Sequence, residues 1–319
     1  MTNFRPALLA ASLFALTAST APTHAQLART FVSSFGNDAN DCARGTPCRT
    51  FQRAHDNTFA SGEITVLDPG GYGAVSINRT ISIINDGVGE GGVLVSGDAI
   101  GITVNAGPND RVSLRGLTIK GIAFGDSNGI RFNSGASLTI ENCAVRNNSG
   151  DGIAMLGNVP SGTTRTLTLS NTFVSDNGSN GIFIQPTGSG NMRVVLNRVE
   201  MYNNGAHGLG IAAVAINQTI RGAVTESVSA NNGLAGFVAS GIGPNTVGFL
   251  KIIRSVAAFN GTYGAQADAP GAGFAQVELS ENLMSDNTIF DWGRTGGVMV
   301  SYGDNIGNGD PQTIQQVKH

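Results

Sequence analysis

The chain has 319 residues, 45 of them Gly, with 13% charged and 6% aromatic side chains and a mean hydropathy of +0.03, a composition that suits short strands joined by many tight turns better than a helical bundle or a disordered chain. Its formal net charge is −3 and its Lys and Arg residues are scattered singly, which excludes the clustered basic stripe that a nucleic-acid partner needs. The length would hold two ordinary domains, unless internal repetition builds one elongated unit.

Residues 1–25 read as a signal peptide. Arg5 supplies a positive start, Ala7 to Ala18 an apolar stretch, and Thr23-His24-Ala25 the small residues that precede cleavage before Gln26. That apolar run is shorter than the roughly 20 residues a membrane span needs. Export to the periplasm or the extracellular space is therefore expected, with no membrane span in the mature chain. Cleavage removes one basic residue and no acidic one, so the net charge moves from −3 to −4.

Export permits disulfides. Cys42 and Cys48 flank a Gly- and Pro-containing turn that can bring the sulfurs together, and a Cys42–Cys48 bridge is expected. Pro47 is suited to the first turn of a helix, which predicts a short capping helix over 47–59 with Phe51, Ala54 and His55 on its inner face. Strands are expected at Ile64–Leu67, Ala74–Ile77 and Ile81–Ile84, then at Val93–Val95, Ile102–Val104 and Val112–Ile119.

From about residue 135 an Asn recurs every 27 to 29 residues: Asn148, Asn177, Asn204, Asn232, Asn260 and Asn287. Four positions after each of the first five stands Gly; after the sixth it is Asp291. Eight positions before stand Ile140, Leu169, Leu196, Val224, Ile252 and Leu279, and ten before stand Leu138, Leu167, Val194, Gly222, Leu250 and Val277. Apolar positions two apart are strand periodicity. One such repeat cannot bury its apolar face alone, so the copies must stack as a solenoid, with equivalent strands paired in parallel and equivalent side chains in ladders. The Asn column then forms a structural ladder, because an amide both donates to and accepts from its copies. Six positions before the last four Asn residues, Arg198, Glu226, Arg254 and Glu281 predict an opposite-charge ladder. Cys143 shares a column of small residues and is expected in the core.

The fold class expected is all-β, a right-handed parallel β-helix with a short N-terminal capping helix, as one domain over 27–310. A last strand is expected at Gly297–Tyr302 and a loop at 303–310. The polar tail 311–319 is left either disordered or covering the final rung.

Phe35-Gly36-Asn37-Asp38-Ala39-Asn40, Thr46 to Phe51, Asp68-Pro69-Gly70-Gly71-Tyr72 and repeats such as Leu138 to Cys143 with Asn148 and Gly152 resemble the pectin-lyase-like right-handed parallel β-helix proteins. The resemblance covers nearly the whole mature chain and speaks for fold, since this architecture carries many activities. It implies that a catalytic member would bind an acidic polysaccharide along a sheet face, using a calcium-holding acidic cluster or a pair of Asp residues as acid and base. His207, within Ala206-His207-Gly208, is the nearest fragment of such a motif, with Asp176 and Asp151 as possible partners, but the three fall in different columns or rungs; an exposed turn residue is the ordinary explanation of His207. Asn37, Asp38, Asn40 and Asp41 form the densest run of oxygen ligands, open to calcium or to a turn whose side chains bond their own backbone. A sparser acidic group is Asp286, Asp291 and Asp304. The expected function is an exported, glycan-interacting β-helix without established catalysis and with no established cofactor. The alternatives are a polysaccharide lyase or glycoside hydrolase acting on an acidic polysaccharide, and a purely structural surface module.

Overall fold

The structure, a computed structural model, describes residues 26–122, 125 and 127–316. The expected signal peptide lies outside the described residues, as do 317–319 of the tail. The described chain is a parallel β-solenoid with one short helix.

Each regular rung has three short strands, and the apolar columns stack as the repeat requires. Leu138, Leu167, Val194, Gly222, Leu250 and Val277 are in register along the first face, and so are Ile140, Leu169, Leu196, Val224, Ile252 and Leu279. Their side chains are buried, with outward residues between them, as strand alternation demands. Gly222 interrupts the first column without leaving a void, because a Cβ there would meet Leu250 Cδ2 at 2.4 Å. The third strands form a separate nine-stranded sheet, running from Val75–Ile77 to Phe290–Thr295.

Two corners per rung bend the chain between faces, and both use left-handed backbone at residues other than Gly. The first holds Asn142, Asn171, Arg198, Glu226, Arg254 and Glu281, with φ from 47° to 52° at the first five and 57° at Glu281. The second holds Asn147, Asp176, Asn203, Asn231, Phe259 and Asp286. Asn and Asp tolerate this conformation; a bulky aromatic such as Phe259, at φ 55°, does not do so readily. At the first corner the stacked charges pair along the axis: Arg198 with Glu226 at 4.0 Å, Glu226 with Arg254 at 3.4 Å and Arg254 with Glu281 at 3.8 Å.

Immediately after the second corner the buried Asn residues hydrogen-bond in series. Each amide Nδ2 of Asn148, Asn177, Asn204, Asn232 and Asn260 donates to Oδ1 of the next Asn at 2.9 Å, and Asn287 ends the series on the Asp291 carboxylate at 2.9 Å. Asp291 thus receives the terminal donor where earlier rungs carry Gly.

The N-terminal end departs from the expected boundaries. The helix is Phe51–Asn57, not 47–59. Thr50 caps it by accepting from Arg53 N, while the Pro47 carbonyl accepts from Asn37 N and Asn40 Nδ2, so Pro47 belongs to the preceding loop. Phe51, Ala54 and His55 are buried under the first rungs. The strand expected at Ile64–Leu67 runs over Thr58–Val66, and an additional strand, Leu27–Val32, pairs with it in parallel. The stretch Val112–Ile119 divides into Arg111–Arg115 and Leu117–Gly121 at Gly116, whose φ is +71°. Cys42 and Cys48 form a disulfide with Cα atoms 4.7 Å apart. Cys143 is buried, and burial pushes its thiol up to about 11. At the far end Val298–Ser301 is followed by Ile314–Gln315, paired in parallel with Val300 and Ser301, so the described part of the tail extends the last rung.

Candidate functional site

The sequence candidates for chemistry are held apart. Asp151, Asn180, His207 and Ala235 occupy one column. Asp151 Oδ1 accepts from Asn180 N and Nδ2, Asn180 Oδ1 accepts from His207 N, and His207 Nδ1 accepts from Ala235 N at 3.1 Å. Asn180 therefore intervenes between the carboxylate and the imidazole, which sit two rungs apart, on the order of 10 Å. His207 is half-buried rather than exposed, and burial holds its pKa below the usual histidine value. With Nδ1 accepting a backbone N–H, the neutral ring carries its proton on Nε2. Asp176 stands at the second corner in another column, where it accepts from Ser175 Oγ at 2.6 Å and Asn203 Nδ2 at 3.1 Å. These three residues form no acid and base pair.

The run at 37–41 is a loop staple. Asn37 Oδ1 accepts from Ala39 N, Asp38 accepts from Arg49 N, Thr50 N and Thr50 Oγ1, Asn40 turns its amide donor to Pro47, and Asp41 Oδ1 accepts from Ala43 N and Thr46 Oγ1. The side-chain oxygens of Asn37, Asp38 and Asp41 thus accept from donors between residues 39 and 50. Among the described residues no group of three or more His, Cys, Asp or Glu side chains is placed to hold a metal ion. Asp286 and Asp291 line one cleft with Phe290 and Asn308, whereas Asp304 accepts from Ser280 Oγ and Glu281 N.

What single-column reading of the sequence missed is the outward side of the second face. Its strands stack over many rungs, placing Thr118, Ala144, Phe173, Glu200, Val228, Val256 and Leu283 in one outward column. Beside it run Lys120, Arg146, Ser175, Tyr202, Ala230, Ala258 and Ser285. Phe173 and Tyr202 lie diagonally, their ring centroids 5.7 Å apart, and form the aromatic centre of this face. Burial, with Glu200 beside it, raises the Tyr202 pKa, which keeps its hydroxyl protonated as a donor. Phe173 and Glu200 also line a cleft of about 290 Å³ with Asn171, Thr172 and Arg198. Toward the N-terminal end a second cleft has a Gly70, Gly71 and Gly92 floor, with Pro69 and Leu94 as apolar wall and Glu90 and Lys120 as charged groups. On the C-terminal side the face is small and apolar, ending at Leu283, and Phe259, 62% exposed, stands at its rim. The result is a rigid, nearly flat platform with two aromatic rings, hydroxyl, carboxylate and guanidinium groups at its centre. Such a surface can stack on the C–H faces of an extended ligand and hydrogen-bond its edges.

Residues 92–308 match the family described as right handed beta helix region. No curated protein matches the chain in sequence. Among solved structures, pectate lyase Pel9A superposes with a TM-score of 0.60 at 17% identity, covering 87% of this chain and 72% of that one. A rhamnogalacturonan lyase gives 0.51 at 13% identity, covering 91% and 85%. The enzymatically active domain of bacteriophage CBA120 tailspike protein 2 gives 0.55 at 11% identity, covering 80% of this chain and 42% of that one. At these identities the likeness is one of fold.

Proposed function

The chain belongs to the right-handed β-helix family, and from that premise we propose that it is an exported protein that binds glycan chains along its second face without cleaving them. The observation that carries the reading is the Phe173–Tyr202 pair on an extended parallel-sheet face, flanked by Glu200 and Arg198. Sugar rings offer apolar C–H faces and polar rims, the chemistry an aromatic pair with adjacent charged and hydroxyl groups complements. The rigidity of the stacked strands suits a polymer, since a preformed face loses little conformational freedom on binding. Export accords with the Cys42–Cys48 disulfide and with the sequence of residues 1–25. We take the folded unit as one domain over 27–310, with the described tail residues 311–316 added to its last rung.

Binding without turnover is supported by the commitment of Asp151 and His207 to ladder bonds and by the separate column of Asp176. The second reading is a polysaccharide lyase or glycoside hydrolase, of which the lyase form draws on the names of pectate lyase Pel9A and the rhamnogalacturonan lyase that share the fold. Incubating the mature protein with polygalacturonate, alginate and neutral glycans, with and without calcium, separates the two. Retention on a glycan affinity gel, lost in a Phe173→Ala, Tyr202→Ala double variant and unaccompanied by unsaturated or reducing ends, is the expected result. New ends that disappear in His207→Ala would replace the binding reading with the enzymatic one, and neither retention nor turnover would leave a structural module.

A further inference from the structure

The first face carries a like-charge pair in register, one member of which is braced on an aromatic ring. Arg193 and Arg221 are direct partners in adjacent parallel strands, both exposed, with buried Met192, Val194 and Ile220 fixing their outward direction. Like charges in register about 4.8 Å apart repel. Other stacked charges alternate at the first corner and beside it, where Arg198, Glu226, Arg254 and Glu281 pair along the axis and Lys251 pairs with Glu278 at 3.4 Å, whereas Lys120 and Arg146 on the second face are like charges in register. Around the arginine pair there is no such compensation. The ladder neighbours are Thr166 and Phe249, the adjoining outward positions are Val195 and Ala223, and neither guanidinium forms an ion pair among the described residues.

Phe249 gives the pair a fixed side. The Arg221 guanidinium lies over its ring, 5.3 Å from the centroid, which restrains one arginine while Arg193 remains in solvent. Two forked donors side by side, one braced on an aromatic ring, match the paired oxygens of a carboxylate or sulfate. The protein is acidic as a whole, so this patch is not a by-product of general basicity.

We propose that Arg193 and Arg221 form a binding site for an anionic group, carboxylate or sulfate, carried by an extended glycan lying across the first face. The anion neutralises the repulsion built into the register. Val195 and Ala223 leave the adjoining surface low enough for a chain to pass. The site shares with the glycan reading the nature of the polymer, but it lies on another face and its chemistry is tested separately.

The test is calorimetric titration of the intact mature protein with an oligouronate hexamer, its methyl ester and sodium sulfate. The oligouronate is expected to bind at least tenfold more tightly than the ester, with affinity falling as salt rises. The Arg193→Gln, Arg221→Gln double variant should lose that preference, while Arg111→Gln, in the same column three rungs away, should keep it. Arg221→Glu replaces repulsion with attraction, so it should fold at least as stably as the wild type and still lose the preference. Sulfate that stabilises the wild type but not the double variant would assign the same site to a small anion. Equal binding of acid and ester, no anion binding by the wild type, or full anion binding by either Arg221 variant overturns the proposal. Phe173→Ala with Tyr202→Ala is expected to leave the acid-over-ester preference in place, so failure of the second-face reading is distinguishable.

Discussion

Phe259→Asn should make the protein more stable and its glycan binding weaker. Phe259 is held at φ 55° in a corner column otherwise made of Asn and Asp, and it is 62% exposed. A side chain with Cβ pays roughly 1–2 kcal/mol in left-handed backbone, and Asn recovers much of this by local hydrogen bonding. The new amide would also reach Asn231, extending the outer series in which Asn231 Nδ2 donates to Asn203 Oδ1 at 2.7 Å and Asn203 Nδ2 to Asp176 Oδ1 at 3.1 Å. An exposed bond of this kind contributes about 0.5 kcal/mol. Against these stands the buried part of the ring, less than two-fifths of the side chain, worth about 1 kcal/mol on a scale of roughly 1.5–3 for full burial. The balance is a gain of about 0.5–1 kcal/mol, or a melting temperature higher by roughly 1–3 °C for a chain of this size. Urea denaturation reads the stability, and glycan-gel retention reads the binding, expected to weaken severalfold. A less stable variant would refute the strain argument. Unchanged retention would remove Phe259 from the binding surface.

Asn204→Ala removes side-chain bonds to Asn177, Asn232 and the Val174 carbonyl from a buried position and should cost about 2–4 kcal/mol in urea denaturation, while Asn203→Ala, at the exposed corner, should cost about half as much. Gly222→Leu drives a side chain into Leu250 and should destabilise by about 1–3 kcal/mol, with Leu250→Ala restoring part of the loss; an additive double variant would show that the two do not share the space. His55 and His207 both have pKa values lowered by burial, so the unfolded chain binds protons more readily than the folded one. Their stabilisation is present above the unfolded histidine pKa and is lost as pH falls through the lower folded values. Chemical denaturation between pH 7 and pH 4 should show a smaller acid loss in His207→Asn, which keeps the ladder acceptor already used by Asn180. An unaltered slope would mean that His207 titrates alike in both states.

The stacking, the register and the inner columns were legible in the sequence because each depends on local, repeated rules. Side chains alternate in and out along a strand, and a fixed repeat puts equivalent residues on top of one another, so Ile140, Leu169 and Leu196 declare both their burial and their neighbours. The buried amide column was legible for the same reason. The ends were not, because no repeat averages the signal there. Pro47 satisfied a helix-start preference, but the loop claimed its carbonyl and Thr50 supplied the cap. Leu27–Val32 is a strand through its pairing with Thr58–Val66, which lies some thirty residues away.

By itself the sequence determined a parallel solenoid, its core and its ladders, since periodicity fixes which residues face inward. Only the tertiary structure decided what the outward residues do. Phe173 and Tyr202, or Arg193 and Arg221, are unremarkable singly and separated by nearly thirty residues. Stacking brings them within one side chain's reach, and that proximity turns scattered rings and charges into surfaces. The same geometry dispersed Asp151, Asp176 and His207, because Asn180 intervenes between the first and the last in one column and Asp176 stands in another.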